Sequence, residues 1–153
     1  MNTAADFSVA ERQVVTTRVF DVPRERMFRA FSDPKQLALW WGPNGFTNTI
    51  TKFDFRQGGA WHLTMHGPDG TDYENESEFL AVEAPKRIVY MHLRPMHRFR
   101  MSIDFDDIGG GRTRLNWWML FDTIEECERV KKFVVPANEQ NFDRLAEYLK
   151  AHG

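Results

Sequence analysis

Apolar residues at strand and helix spacings divide the first third of the chain into a strand and two short helices. The β-branched segment at residues 13–20 predicts a strand. A first helix is expected from Pro23, which suits an opening turn, and a second is expected after Asp33, with Pro34 as its first helical residue. The turn-forming residues 42–45 end this second helix.

The middle of the chain reads as a succession of strands separated by Gly, Pro and Asp. The pattern predicts strands at residues 47–56, 60–66, 72–82, 87–93, 98–105 and 112–121. The connections between them are short, and the strongest turn signal is Gly67–Gly70. Because short connections join antiparallel neighbours, these strands should form an antiparallel meander.

The apolar period becomes helical from residue 124 to residue 151. The apolar stripe of this long helix consists of Val130, Phe133, Val134, Ala137, Phe142, Leu145 and Leu149. Pro136 removes one helical hydrogen bond and should kink or divide the helix. The predicted fold is α+β, with a curved antiparallel sheet of about seven strands wrapped around this helix. We expect a single domain over residues 1–153, with residues 1–10 as a loose tail.

Bulky apolar side chains are abundant: the chain has 13 Phe, 5 Trp, 3 Tyr and 7 Met. They can form either a large aromatic core or the wall of a wide internal cavity. Strand alternation decides which side chains can face such a cavity. The predicted ligand-binding residues are Trp40, Trp61, Leu63, Met65, Tyr73, Asn75, Ser77, Phe79, Tyr90, His92, Phe99, Met101, Trp117, Met119, Phe133 and Asn138.

The turns also fix which inward residues lie side by side. The predicted cross-strand pairs are Trp61 with Ser77, Leu63 with Asn75, and Met65 with Tyr73. The next hairpin places His92 across from Ser77 or Phe79, with Asn75 and Tyr90 nearby. These groups form a polar end in an otherwise apolar pocket. Either these groups form hydrogen bonds to one another, or a ligand or water molecule supplies the missing hydrogen bonds. In the second case His92 is the best candidate for proton transfer.

The charge balance excludes several classes of partner. With 20 Lys and Arg against 22 Asp and Glu, the net charge is −2, which lacks the positive surface of a nucleic-acid binder or a membrane-surface helix. No apolar run reaches the length of a membrane span. The single cysteine fits a reducing compartment, so we expect a cytoplasmic protein with no nucleic-acid or membrane partner.

The sequence contains no convincing catalytic or metal motif. His62 and His66 lie on one predicted strand, roughly 13 Å apart, which is too far to share a metal ion. Cys127 stands among glutamates that should raise its thiol pKa. The glycines at 109–111 lack the lysine of a phosphate-binding loop. We therefore expect no metal, no cofactor and no assigned catalytic residue.

Several local motifs together carry a resemblance to a known superfamily. They are residues 19–28, 31–43, 58–61, 65–70, 85–90 and 141–149. In sequence and order they resemble the START-like helix-grip proteins, or SRPBCC superfamily, and within it the branch related to the activator of the heat-shock chaperone ATPase. The resemblance spans about residues 13–149. Many members of this branch have a Gly-Trp pair on the last helix, where this chain has Ala137-Asn138.

The resemblance implies a deep cavity between sheet and helix, with lipids or polyketides as ligand classes, but it does not imply one reaction. The favoured function is non-catalytic binding of a small hydrophobic or aromatic molecule. One alternative is a cyclase or dehydratase that uses an inward His and Tyr as acid and base. Another, suggested by the branch alone, is a chaperone accessory in a stress response. A homodimer is also left open.

Overall fold

A computed structural model describes residues 9–152 of the chain. Of the expected loose tail, residues 1–8 lie outside the described part, and residues 9 and 10 are helical. The elements in chain order are β1 (Gln13–Phe20), α1 (Arg24–Ser32), α2 (Pro34–Trp40), β2 (Thr47–Phe53), β3 (Ala60–His66), β4 (Asp72–Glu83), β5 (Arg87–Arg94), β6 (Phe99–Gly109), β7 (Arg112–Phe121) and α3 (Ile124–His152). This order confirms the predicted α+β helix-grip architecture.

The strands form one seven-stranded antiparallel sheet in the order β1-β7-β6-β5-β4-β3-β2. Strands β2 to β7 follow one another as hairpins, while β1 closes the far edge beside β7. The three predicted cross-strand pairs between β3 and β4 are all present, namely Trp61 with Ser77, Leu63 with Asn75, and Met65 with Tyr73. Ser77 also lies opposite His92 on β5, so both predicted registers are confirmed.

The β6–β7 hairpin is longer and its turn is tighter than predicted. Strand β6 continues to Gly109, instead of ending at residue 105. Gly109, Gly110 and Gly111 have φ values of 86°, 66° and 73°. Three successive residues in this region require glycine, so the glycine run forms the turn itself and lets the strands extend on either side.

Helix α3 runs from Ile124 to His152 without interruption, so of the two predicted outcomes, a kink or a division at Pro136, the division is wrong. Pro136 has no N–H, and it removes one hydrogen bond to the carbonyl of Lys132. The proline ring is exposed and therefore does not disturb the buried side of the helix. No helix within residues 9–152 is long and apolar enough to cross a membrane.

Aromatic packing fills one end of the concave sheet face. Phe142 of α3 is fully buried and meets Trp117 of β7 edge-to-face, with ring centroids 4.7 Å apart. From the other side, Phe31 of α1 contacts both Trp40 and Phe105 in the same manner. Because α1, α2 and the second half of α3 close this end, open space remains only toward the first half of α3.

Candidate ligand-binding cavity

A cavity of about 740 Å³ lies between the concave face of the sheet and the first half of α3. Strands β3 to β7 form its floor, and two loops and the helix form its rim. Its wall residues are Trp41, Gly42, Pro43, Phe46, Trp61, Leu63, Met65, Tyr73, Asn75, Ser77, Tyr90, His92, Pro95, Met96, His97, Phe99, Met101, Trp117, Met119, Arg129, Val130, Phe133, Val134, Ala137, Asn138 and Asn141. The volume is in the range of small-molecule sites.

All of the predicted ligand-binding residues except Trp40 and Phe79 lie on this wall. The predicted residues found there are Trp61, Leu63, Met65, Tyr73, Asn75, Ser77, Tyr90, His92, Phe99, Met101, Trp117, Met119, Phe133 and Asn138. Most of them are on strands, where alternation alone decides the face. The bulky apolar side chains therefore serve both of the purposes considered for them. They form a packed core at one end of the concave sheet face and the cavity wall at the other.

Trp40 belongs to the core and not to the cavity wall. Its side chain is 0% exposed, and its indole N–H donates a hydrogen bond to the carbonyl of Ala30 at 3.1 Å. Helix α2 ends at Trp40, and the next residue, Trp41, has extended backbone angles. This change of conformation turns Trp41, instead of Trp40, toward the cavity.

Phe79 shares the inward face of β4 with Ser77 but is covered by other rings. It stacks in parallel on Trp61, with centroids 5.9 Å apart, and meets Phe53 and Phe55 edge-on. Those two residues come from β2 and the loop after it. The prediction failed here because strand parity gives the face of a side chain but not what lies above it.

The rim residues that the prediction missed come mainly from two loops and one helix face. Residues 41–46 follow α2, and residues 95–97 join β5 to β6. Loop geometry has no sequence period, so no pattern could have located them. The α3 residues are different, because Val130, Val134 and Ala137 were already part of the predicted apolar stripe and could have been assigned to the wall.

Two side chains of α3 hold the 41–46 loop in place. Arg144 donates hydrogen bonds to the carbonyls of Trp41 at 2.9 Å, Gly42 and Pro43 at 3.0 Å, and Phe46 at 2.9 Å. Burial lowers the pKa of its guanidinium. Asn141 accepts from the Gly42 N–H at 3.1 Å. This aromatic part of the wall is therefore fixed to the helix through main-chain atoms.

The polar end of the cavity forms where predicted, around Ser77 and His92. The His92 ring stacks on Phe99 with centroids 4.7 Å apart, and its Nε2 lies 3.2 Å from the carbonyl oxygen of Pro95. Burial lowers the pKa of His92, the hydrogen bond to the Pro95 carbonyl partly opposes this shift, and the nearby His97 adds to it. Burial also raises the pKa of Tyr90. Near neutral pH these groups are therefore uncharged, which suits a neutral ligand.

Asn138 adds a polar group from the helix side. Its amide Nδ2 donates to the hydroxyl of Thr16 at 3.1 Å and to the sulfur of Met119 at 3.4 Å. This buried amide is thus held by two contacts within the protein and forms part of the cavity wall.

The mouth of the cavity is bordered by exposed apolar side chains. Phe133 on α3 is 67% exposed and Met96, in the β5–β6 loop, is 84% exposed. Between them, His97 lies 3.8 Å from Glu126, and Arg129 pairs with the same carboxylate. Apolar residues at an opening lower the cost of passing an apolar molecule from water to the interior.

The wall lacks the groups of a hydrolytic or metal site. Within residues 9–152 no three His, Cys, Asp or Glu side chains are grouped so that they could hold a metal ion. No Asp or Glu is among the wall residues named above. Cys127 is buried away from the cavity, and burial raises its thiol pKa. The arrangement suits binding better than carboxylate-based catalysis.

Sheet order, long C-terminal helix and enclosed cavity together define a START-like helix-grip protein. The chain belongs to the family described as Activator of Hsp90 ATPase homolog 1-like protein, which it matches over residues 21–150. None of the curated proteins matches it significantly.

Solved structures with low sequence identity share the fold. A protein from Nitrosomonas europaea is 22% identical, with a TM-score of 0.83 and coverage of 94% of this chain and 97% of that one. Protein Ms6760 from Mycobacterium smegmatis is 23% identical, with a TM-score of 0.83 and 95% coverage of both chains. The AHSA1 protein from Silicibacter pomeroyi is 20% identical, with a TM-score of 0.74 and coverage of 92% and 99%. At these identities the likeness concerns the fold.

Proposed function

We propose that this protein binds a small hydrophobic or aromatic molecule in the cavity without chemically changing it. The observation that carries the proposal is the combination of a cavity of about 740 Å³, open at one side, with a wall of Trp, Tyr, Phe, Met and Leu side chains. An apolar molecule that enters such a space is removed from water without losing hydrogen bonds. The ligand class extends to lipids and polyketides, whose bodies are long or flat and apolar.

Ligand exchange in this proposal takes place through the mouth beside Phe133 and Met96. Both side chains are exposed, and neither is held by the core. The protein would act as a carrier or sensor of its ligand, working in the cytoplasm as the single unpaired cysteine suggests.

An environment-sensitive apolar dye such as Nile red tests the proposal. The folded protein should enhance its fluorescence at low micromolar concentration, and small aromatic compounds should displace it. Mass spectrometry of the protein purified under native conditions should then identify what occupies the cavity. Dye binding that appears only in partly unfolded protein would contradict the proposal, because such states expose apolar surface of their own.

The second candidate is a cyclase or dehydratase, and the observation that favours it is the position of His92 and Tyr90 on one wall. A neutral imidazole can accept a proton and a phenol can donate one. Turnover of a displacing compound, followed by chromatography, separates this candidate from simple binding. A chaperone accessory role rests on the family description alone, and stimulation of the chaperone ATPase by the purified protein would test it.

A further inference from the structure

The orientation of His92 leaves a hydrogen-bond acceptor on the cavity wall. A carbonyl oxygen can only accept, so the Nε2 atom that faces the Pro95 carbonyl carries the ring hydrogen. A neutral imidazole has one N–H, and Nδ1 is therefore an acceptor. Nδ1 has no hydrogen-bond partner among the described residues. A donor from a ligand or a water molecule in the cavity can satisfy it.

The orientation of Asn138 likewise leaves a hydrogen-bond acceptor on the cavity wall. Its Nδ2 is directed to the Met119 sulfur, which can only accept, and to the Thr16 hydroxyl. Both amide hydrogens are thus used within the protein. The Oδ1 atom of this nearly buried side chain has no partner in residues 9–152, so a second acceptor belongs to the wall.

Asn75 repeats the arrangement in part on β4. One hydrogen of its Nδ2 is donated to the main-chain carbonyl of Tyr73 at 3.1 Å, so Oδ1 is an acceptor without a partner among the described residues, and the second amide hydrogen is a donor without one. Ser77 and Tyr90 contribute hydroxyls without a partner among the described residues, and a hydroxyl adapts to either role. His92 and Asn138 are therefore acceptors only, while Asn75 offers both an acceptor and one donor.

The fixed donors in the interior of the described wall are neutral and few, namely the second amide hydrogens of Asn75 and Asn141. The indole N–H groups of Trp61 and Trp117 have no partner, but both nitrogens are closed off by surrounding atoms and cannot reach a ligand. The remaining donors, Arg129 and His97, lie at the mouth beside Glu126. An anionic ligand group would find no cation inside the cavity, and its desolvation would be uncompensated.

We propose that the ligand is a neutral, hydroxylated aromatic molecule that donates hydrogen bonds to His92 Nδ1 and to the amide oxygens of Asn138 and Asn75. This inference rests on the proposed binding function and specifies its ligand class. Compounds that carry only acceptor groups, such as ethers, fit the apolar space but leave these acceptors unpaired. We expect carboxylates to bind weakly, because no cationic side chain lies inside the cavity to pair with them.

Four naphthalene compounds of one shape test the proposal by displacing Nile red from the full-length protein at pH 7.5. They are naphthalene, 2-naphthol, 2-methoxynaphthalene and 2-naphthoate. We expect 2-naphthol to bind roughly three- to tenfold more tightly than 2-methoxynaphthalene, the equivalent of one neutral hydrogen bond. The carboxylate should bind more weakly than naphthalene. His92→Phe should bring the naphthol and methoxy compounds to within about twofold of each other.

The ligand series on the unmodified protein keeps the test decisive even if His92→Phe does not fold. The matched control is His62→Phe, on the outer face of β3, which should retain the preference for naphthol. Equal affinity for 2-naphthol and 2-methoxynaphthalene, or preferred binding of 2-naphthoate, would overturn the donor inference while leaving the binding function intact. Absence of dye binding and of any displacement would instead overturn the binding function itself.

Discussion

Arg144 on α3 and Trp41 on the cavity wall are linked through the main chain, because the Arg144 guanidinium donates to the Trp41 carbonyl at 2.9 Å. The same guanidinium binds the carbonyls of Gly42, Pro43 and Phe46. One side chain therefore satisfies a run of carbonyls that no helix or strand pairs. The ring of Trp41 is fixed against Trp61 and Trp117 as a consequence, with centroids 5.2 and 5.4 Å away.

Arg144→Lys should destabilise the protein by about 2–4 kcal/mol, since an ammonium group with three hydrogens cannot reach the spread of carbonyls that the planar guanidinium binds. The loss should appear as a lower urea midpoint with an unchanged slope. Nile red affinity should fall as well, because the Trp41 wall loosens. The control is Arg100→Lys on an exposed position of β6. Equal midpoints for the two variants would show that Arg144 does not anchor the loop.

Gly42→Ala should cost about 1–2 kcal/mol for two separable reasons. Its φ is +96°, which side chains rarely adopt, and an added Cβ would lie 2.8 Å from the Met65 Cε atom. Gly58→Ala is a matched control, because its φ is +82° but nothing lies within 4 Å of the added atom. The difference between the two variants in urea unfolding measures the contacts of the added atom with Met65 and with the Phe46 Cβ atom, which is 3.3 Å away.

The cost of Gly42→Ala should be smaller when it is measured in a Met65→Ala background, with Met65→Ala alone as the reference, and the contact with Phe46 should account for what remains. If Gly42→Ala costs no more than Gly58→Ala, then Met65 moves freely and does not pack against the loop. In that case the cavity is more adaptable at this point than its structure indicates.

The strand part of the wall could be read from the sequence because two rules are sufficient there. Alternation gives the inward face, and short turns give the register, so Ser77 was placed opposite His92 correctly. Phe79 follows both rules but is not part of the cavity wall, because Phe53 and Phe55 cover it. Whether an inward side chain meets another ring or empty space depends on contacts between distant segments.

Helix ends and loops account for the other misses. Trp40 was predicted to line the cavity, but α2 ends there, and the extended backbone of the next residue turns Trp41 toward the cavity instead. Pro136 was expected to kink or divide α3, yet the helix continues through it at an exposed position. The loss of one hydrogen bond is small beside the apolar burial along the rest of the helix. Tertiary packing therefore overrides the local signal.

Stability should fall as the pH is lowered from about 7 to 5.5. Burial lowers the pKa values of His92 and His97 in the folded state, although Glu126 acts against this at His97. The unfolded chain binds protons near pH 6.5 while the folded chain resists them, so unfolding gains protons and becomes easier below that pH. Each histidine contributes at most about 1.4 kcal/mol per pH unit.

Urea midpoints at half-unit intervals between pH 5.5 and 8 measure this dependence. His92→Phe should flatten the curve, since a side chain that does not titrate removes one of the two contributions. His62→Phe, on the outer face, should leave the curve unchanged. A midpoint that rises on acidification would contradict the burial of neutral histidines at the polar end.

Filling the cavity should abolish binding without unfolding the protein. Ala137 lies on the wall, on the side of α3 that faces the sheet. A benzyl group added there has about 740 Å³ of space in which to lie, so Ala137→Phe adds apolar burial without the overpacking that a closed core would suffer. The gain offsets the roughly 0.5 kcal/mol by which Phe is a poorer helix former than Ala. The urea midpoint should therefore stay within about 0.5 kcal/mol of that of the unmodified protein.

Nile red affinity should nevertheless fall at least about tenfold in Ala137→Phe, because the ring occupies part of the binding volume. Ala151→Phe makes the same chemical change at an exposed position near the end of α3 and should leave binding unaffected. If Ala137→Phe keeps full dye affinity while remaining folded, the dye binds elsewhere on the protein. The cavity would then not be the ligand site, whatever its size and lining.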